Sequence, residues 1–267
     1  MSKGYLVMAQ GDYLDQAIAL AESIKKTQST VNNISIIVDC DTVDHPAVDK
    51  FIVLKEDVAG DAEWKIHNRC QFYELTPYDE TVILDADMLF LTDVSHWWNS
   101  MNSYDLLVTN HVKTYRNELV VNSPYRKTFR ANQLPDVYSA FTYFKKSELA
   151  ETFFKLLTSI VCNWDTWSET YSFHHRQEHA SIDVAMAIAI NVLDCEKQVT
   201  SQRDYPTFVH MKSGCQGWKK YPTDWTDFLP HYVHGSSLRL GAFQQSGILH
   251  YVTKDFVKNT NVMEIFR

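Results

Sequence analysis

Val82-Ile83-Leu84-Asp85-Ala86-Asp87-Met88-Leu89-Phe90-Leu91 is the stretch on which the reading of this chain turns. Residues 81–84 form an apolar, largely β-branched run with the composition of a buried strand. It delivers Asp85 and Asp87 and then resumes as a second apolar run. Positions i and i+2 of an extended chain face the same side, so both carboxylates are expected to project together. Two like charges held that close repel, and one takes up a proton unless a cation neutralises them. Oxygen ligands suit a hard divalent ion, magnesium or manganese. The plainer alternative is a pair of strand-end aspartates, one shaping a turn and one solvated.

Working outward, residues 5–9 are a short apolar run followed by Gln10-Gly11-Asp12, a turn. Residues 13–26 carry Leu14, Ala17, Ile18, Ala21 and Ile24 at helical spacing. Residues 34–38 and 51–54 read as strands, 64–75 as a helix closed by Pro77, and Asp93 as the cap of a further helix. Beyond the acid pair, 104–109 and 138–144 read as strands and 110–136 as a long polar loop with Pro124 and Pro135. Ser147 is a cap for a helix over 148–161; residues 179–193 read as a strongly apolar helix, and 207–211 and 248–252 as short strands. Alternating strands and helices predict an α/β protein with a mainly parallel sheet, which binds ligands beyond the carboxyl ends of its strands. No repeat or linker interrupts the 267 residues, so a single domain over 1–267 is expected.

Hydrophobic residues make up 45% and charged residues 22%, which excludes disordered, collagenous and coiled-coil classes. The longest apolar stretches, such as 185–190, are too short to span a bilayer. Met1-Ser2-Lys3-Gly4 leads straight into a strand-like run without a signal-peptide core. Five scattered cysteines with no C-x-x-C pair point to reduced thiols and a cytoplasmic setting. Residues 1–112 hold 18 acids and 7 bases (net −11), whereas 113–267 hold 15 acids and 18 bases (net +3). That balance argues against indiscriminate nucleic-acid binding by the whole surface. Lys113, Arg116, Arg126, Lys127 and Arg130, against Glu118 alone, are either a solvated loop or a basic face for an acidic acceptor.

The acid pair in its apolar frame resembles the D-x-D element of GT-A-fold glycosyltransferases, closest to the retaining glycogenin and lipopolysaccharide-galactosyltransferase type. The resemblance includes the opening strand and helix, the basic helix before the acid pair with Lys65 and Arg69, and the closing segment Ile248-Leu249-His250-Tyr251-Val252-Thr253-Lys254. It covers 1–110 well, is looser over 137–193 and returns near 250. Asp255-Phe256 stands where the family usually has proline and tryptophan after the closing lysine, and the closing loop lacks the family's glycines.

The resemblance implies a single GT-A-like domain, with 1–112 as the nucleotide- and metal-binding half and 113–267 as the acceptor half and closing segment. It implies a nucleoside-diphosphate sugar donor, foremost a UDP-sugar, held by Mn2+ or Mg2+ on Asp85, Asp87 and His250. A metal there would stabilise the departing diphosphate, with Arg69 and Lys254 adding positive charge. Ala9, Gln10, Asp12 and Tyr13 would line the nucleotide, with Tyr13 either stacking on the base or packing in the core. Asp39 or Asp41 would help hold the nucleotide or simply form turns. His210, in Val209-His210-Met211-Lys212, competes with His250 as the third ligand.

At the start of the apolar helix, Glu178 and Asp183 are either dipole caps or, for Asp183, a carboxylate facing sugar and acceptor. In an inverting enzyme Asp183 would be the general base; in a retaining one the hydroxyl would attack on the face the diphosphate vacates. Trp218 and Trp225 suit a sugar or a base, whereas Trp64, Trp97 and Trp98 suit helix packing. His174, His175 and His179 read as a polar helix start rather than a zinc site. The acceptor hydroxyl is expected on a glycan or on a hydroxymethylated base of viral DNA. The alternatives are a D-x-D phosphohydrolase and a non-catalytic carbohydrate-binding protein. The phosphohydrolase normally carries its triplet on its first strand, with Thr or Val at the position of Leu89.

Overall fold

A computed structural model gives the fold. It describes all residues except 41–43, 61–64, 122, 124, 125, 204 and 219–223, so Asp41, Trp64 and Pro124 lie outside the described residues. A six-stranded sheet is built from β1 (Lys3–Ala9), β2 (Ile34–Val38), β3 (Lys50–Val53), β4 (Glu80–Leu84), β6 (Leu106–Thr109) and β7 (Tyr138–Lys145). Its order is β3-β2-β1-β4-β7-β6, parallel throughout except for β7, which runs antiparallel to both neighbours. The chain moves outward from β1 to β2 and β3, then returns to place β4 on the other side of β1. That reversal opens a crevice at the carboxyl ends of β1 and β4, where open α/β sheets take ligands.

Strand alternation sends side chains to both faces. Leu6 and Ile83 join one core with α5 (Glu148–Cys162) and α7 (Ile182–Val192), while Tyr5, Val7, Val82 and Leu84 join another with α1 (Leu14–Thr27) and α3 (Trp97–Met101). In α1 the buried Ala17, Leu20, Ala21 and Ile24 fall on one stripe. Ser147 caps α5, its Oγ accepting from the Ala150 amide at 3.3 Å. Trp98 packs as expected, its indole donating to the Tyr5 hydroxyl at 3.0 Å.

A second, three-stranded sheet orders β5 (Met88–Phe90), β12 (Ile248–His250) and β8 (Val209–His210), and a third orders β11 (Phe243–Gln244), β10 (Ser237–Leu240) and β9 (His231–His234). Short helices α2 (Phe72–Leu75), α4 (Lys127–Ala131), α6 (Trp164–Tyr171), α8 (Glu196–Val199) and α9 (Phe256–Asn259) complete the fold. No helix among the described residues is long and apolar enough to cross a membrane. None of the five cysteines is disulfide-bonded.

Several boundaries differ from expectation, each for a local reason. Residues 65–71 wind as a tight 3-10 helix before α2, because Asn68 is tied to the Val58 amide, to Asp57 and to Gln10. Asp93 turns back to the Ser95 amide at 2.8 Å, so α3 starts at Trp97. The expected loop 110–136 contains α4, and α7 begins only after Ser181. The strand expected over 248–252 stops at His250, since Val252 adopts a left-handed φ of 65°.

Candidate metal and nucleotide site

Asp85-Ala86-Asp87 lies between β4 and β5, and it forms a turn rather than an extended segment. The two carboxylates therefore converge because the chain turns from one sheet into the next, not through strand alternation. β12 pairs antiparallel with β5 and sets His250 opposite Met88, and the Tyr251 amide donates to the Asp87 carbonyl at 3.1 Å. His250 Nε2 consequently lies 3.0 Å from Asp87 Oδ1 and 3.6 Å from Asp85 Oδ2. One ligand atom from each of the three residues falls within 4.8 Å of the others, and among the described residues no other such group is found. His174, His175 and His179 are exposed and form no cluster.

The electrostatics mark a site poised for a cation. Burial opposes charge on Asp87, yet His250 and Arg69 hold its carboxyl below the usual range. Burial likewise disfavours the His250 imidazolium, and the Asp87 and Asp85 carboxylates reverse this and raise its pKa. The two carboxylates thus favour positive charge at this position, and a divalent ion is one source of it. Two carboxylates and one imidazole are a donor set that Mn2+ or Mg2+ accepts, so the residues present fit such an ion. His250 Nδ1 is buried and has no hydrogen-bond partner among the described residues.

His210 occupies the neighbouring position on β8, and its ring stacks on His250 with centroids 4.6 Å apart and planes 18° apart. Burial, with the nearby His250 and Lys212 charges, pushes its pKa well down, so His210 is a neutral plate behind the triad. Arg69 forms a close ion pair with Asp85 Oδ1 and reaches the Ser139 carbonyl at 3.5 Å.

The residues expected along the nucleotide gather at one mouth of the crevice. Ala9 is buried at the end of β1, and Gln10 is buried with its Oε1 accepting from Asn68 at 3.0 Å. Asp39 accepts from the Gly11 amide at 2.9 Å and so braces this turn. Lys254 pairs with Asp12 at 2.9 Å and lies 5.5 Å from the centroid of the Tyr13 ring, which is 44% exposed. Gln16 Nε2 donates to the Lys254 carbonyl at 2.8 Å, tying the closing segment to α1.

This architecture has solved counterparts. The galactosyltransferase LgtC, in complex with donor and acceptor sugar analogues, shares 9% identity at a TM-score of 0.57, over 94% of this chain and 87% of that one. The chain has the GT-A glycosyltransferase fold. Looser similarity extends to mouse xyloside xylosyltransferase 1 (TM-score 0.48, 11% identity, 80% of this chain and 89% of that). It extends also to the glycosyltransferase GlyE of Streptococcus pneumoniae TIGR4 (0.46, 14%, 77% and 47%), of which this chain spans about half. No family model matches the sequence, and no curated protein matches it.

Within the GT-A fold, Asp183 stands in the first turn of α7, separate from Glu178, which is exposed ahead of the helix. Its Oδ2 takes Arg126 at 2.6 Å, and its Oδ1 takes the Ser139 amide at 2.9 Å and hydroxyl at 2.6 Å. Burial works against its charge, and Arg126 and Ser139 overcome that and lower its pKa. Arg126 and Ser139 were not singled out as site residues by sequence. Arg126 sits in a basic stretch that reads as surface, and only its neighbours in space reveal it as the counter-ion of Asp183. Trp225 is buried, its indole donating to the Tyr251 carbonyl at 2.7 Å, whereas Trp218 is half-buried.

Proposed function

We propose that this protein is a divalent-metal-dependent glycosyltransferase that moves a sugar from a nucleoside-diphosphate sugar, foremost a UDP-sugar, to an acceptor hydroxyl. The observation that carries the reading is the convergence of Asp85, Asp87 and His250 at the reversal point between β1 and β4. The solution of LgtC, a galactosyltransferase of this fold, with donor and acceptor sugar analogues supports it. Residues 1–112 would serve the nucleotide and metal, and 113–267 the acceptor and the closing segment.

Asp85, Asp87 and His250 would hold Mn2+ or Mg2+, which when bound supplies Lewis-acid stabilisation of the leaving diphosphate. Arg69 fixes the Asp85 carboxylate and brings positive charge to the crevice. Lys254 is held over Tyr13 by Asp12, so an arriving diphosphate would compete with Asp12 for its ammonium. Ala9, Gln10, Asp12 and Tyr13 line the nucleotide, with Tyr13 exposed enough to offer a stacking face. In the transfer, the acceptor oxygen bonds to the anomeric carbon, and the bond from that carbon to the diphosphate oxygen breaks with its electron pair. The hydroxyl proton goes to the departing diphosphate. Asp183, engaged by a guanidinium and two Ser139 donors, is a poor base and serves to orient sugar hydroxyls.

The deciding experiment is a thermal-shift titration with UDP and manganese. Wild type gains stability only when both are present, by about 2.7 kcal/mol at a hundredfold excess over Kd, and Asp87→Asn gains none. Absence of a metal-dependent shift with every nucleoside diphosphate would end this reading.

A further inference from the structure

His250 meets the two acids through Nε2, and its other ring nitrogen is idle: Nδ1 is buried and has no hydrogen-bond partner among the described residues. A histidine that ligates a metal ordinarily donates its second N–H to a carboxylate, a carbonyl or water, and that bond fixes the ring. Here the ring is held another way. β8 runs parallel to β12 and sets His210 in register with His250. Paired residues of neighbouring strands point to the same face, and the strands lie about 4.8 Å apart. The two imidazoles are thereby laid face to face, with centroids 4.6 Å apart and planes inclined by 18°. The backbone around His210 is pinned. Its amide donates to the Lys113 carbonyl at 2.9 Å, its carbonyl accepts from Gln216 Nε2 at 2.8 Å, and the Met211 amide donates to the His250 carbonyl at 3.0 Å. A slip of one residue would turn the ring to the other face of the sheet, and these bonds oppose it. Phe208 and Tyr138 stand against the His210 ring at 5.6 and 6.1 Å, and Tyr138 in turn lies 4.1 Å from the Arg126 guanidinium. Phe208 also touches His250, at 5.7 Å.

We propose that His210 is a positioning residue: by stacking on His250 it fixes the plane of that imidazole and so aims Nε2 at the place where the Asp85 and Asp87 oxygens converge. The stack takes the part that a hydrogen bond to the second ring nitrogen plays at other metal-bound histidines. The inference rests on the reading of the triad as a metal site and deepens it. It gives His210 a different part from that of third ligand. His250 Nε2 lies 3.0 and 3.6 Å from the two acids, and His210 is not among the residues whose ligand atoms fall within 4.8 Å of one another. What the second ring supplies is preorganisation. A ligand already held in its binding orientation loses little further freedom when the ion arrives, and affinity rises accordingly. An aromatic face suffices for this, so the part belongs to the ring of His210 rather than to its nitrogens.

Manganese binding to the full chain, followed as loss of the free-ion EPR signal with and without UDP, tests the proposal. In His210→Phe, which keeps an aromatic face, the Kd for Mn2+ should stay within about threefold of wild type. In His210→Leu, which fills the space without a ring, it should rise about tenfold, the lower end of the cost of removing a metal ligand's outer partner. His210→Ala should behave as His210→Leu does, and the leucine variant serves if the alanine one fails to fold. A metal-free measurement follows the ring itself. The Cδ2–H and Cε1–H resonances of His250, assigned by comparison with His250→Gln, should keep their upfield ring-current shift in His210→Phe and lose it in His210→Leu. A His210→Leu variant that melts lower but binds Mn2+ as wild type does would reduce His210 to packing and overturn the proposal. So would a His210→Phe variant that loses as much affinity as His210→Leu, because the histidine would then act as a ligand. A wild-type chain that binds no Mn2+, with or without UDP, would instead remove the metal reading, and the inference with it.

Discussion

Replacing Arg126 with Met should cost this protein more than any surface charge. The guanidinium is almost wholly buried and lies between two rings, 3.8 Å from the centroid of Phe129 and 4.1 Å from that of Tyr138. It pairs with Asp136 and Asp183 at 2.6 Å each and makes a close hydrogen bond to the Val137 carbonyl. Asp136 is 43% exposed and falls back on water, so its share is no more than about 1 kcal/mol. Asp183 keeps its Ser139 donors but loses the Arg126 guanidinium, and stranding one partner of a buried pair costs about 3–5 kcal/mol. For a chain of this length that is a fall in Tm of about 5–9 °C. Thermal denaturation of Arg126→Met, Asp183→Asn and the double variant measures both the loss and the coupling, expected at about 1.5–3 kcal/mol. An Arg126→Met variant within about 1 kcal/mol of wild type, or additive single effects, would refute the argument that Arg126 is the counter-ion of Asp183.

Gly4→Ala should destabilise by about 1–3 kcal/mol, because an added Cβ would lie 2.4 Å from Tyr78 Cζ and disturb the 2.8 Å bond between Tyr78 and Ser35; a Tm scan reads it. Val252→Gly should raise Tm slightly, since left-handed backbone costs a β-branched residue about 1–2 kcal/mol and glycine entropy returns only part of it. Acid should weaken the fold in a defined window. Burial tends to raise the Asp93 pKa, but the Ser29 and Ser95 donors lower it from 3.8 to about 2, so its contribution is complete above 3.8 and is lost as pH falls through about 2. Tm measured against pH should show that loss in wild type and a smaller one in Asp93→Asn.

The fold was legible where pattern and physics coincide. The apolar frame of Asp85 and Asp87, the stripe of α1 and the Ser147 cap each follow from local rules, and together they imply a parallel sheet with its ligand crevice. The site was legible in part. Asp85 and Asp87 announce themselves, but their convergence comes from a turn between two sheets, which alternation within one strand does not encode. His250 and His210 look alike in sequence because each sits in a short apolar run ahead of a lysine, and only pairing tells them apart: β12 lies between β5 and β8, so His250 faces the acids and His210 backs it.

Arg126 shows why the remainder was hidden. Charge along a sequence predicts solvent, and the exception requires partners that are distant in the chain, here ten and 57 residues away. Those partners connect the site. Asp85 is gripped by Arg69, Arg69 reaches the Ser139 carbonyl, Ser139 donates to Asp183, and Asp183 is locked by Arg126. Each aspartate in the series is paired with an arginine, and the neutral Ser139 joins the two pairs, so the acids of the crevice keep a fixed arrangement. A buried series of this kind is poorly suited to maximal stability, because hydrophobic replacements of buried ion pairs often do as well or better. Its better explanation is positional: it couples the orientation of the Asp85–Asp87 turn to the start of α7.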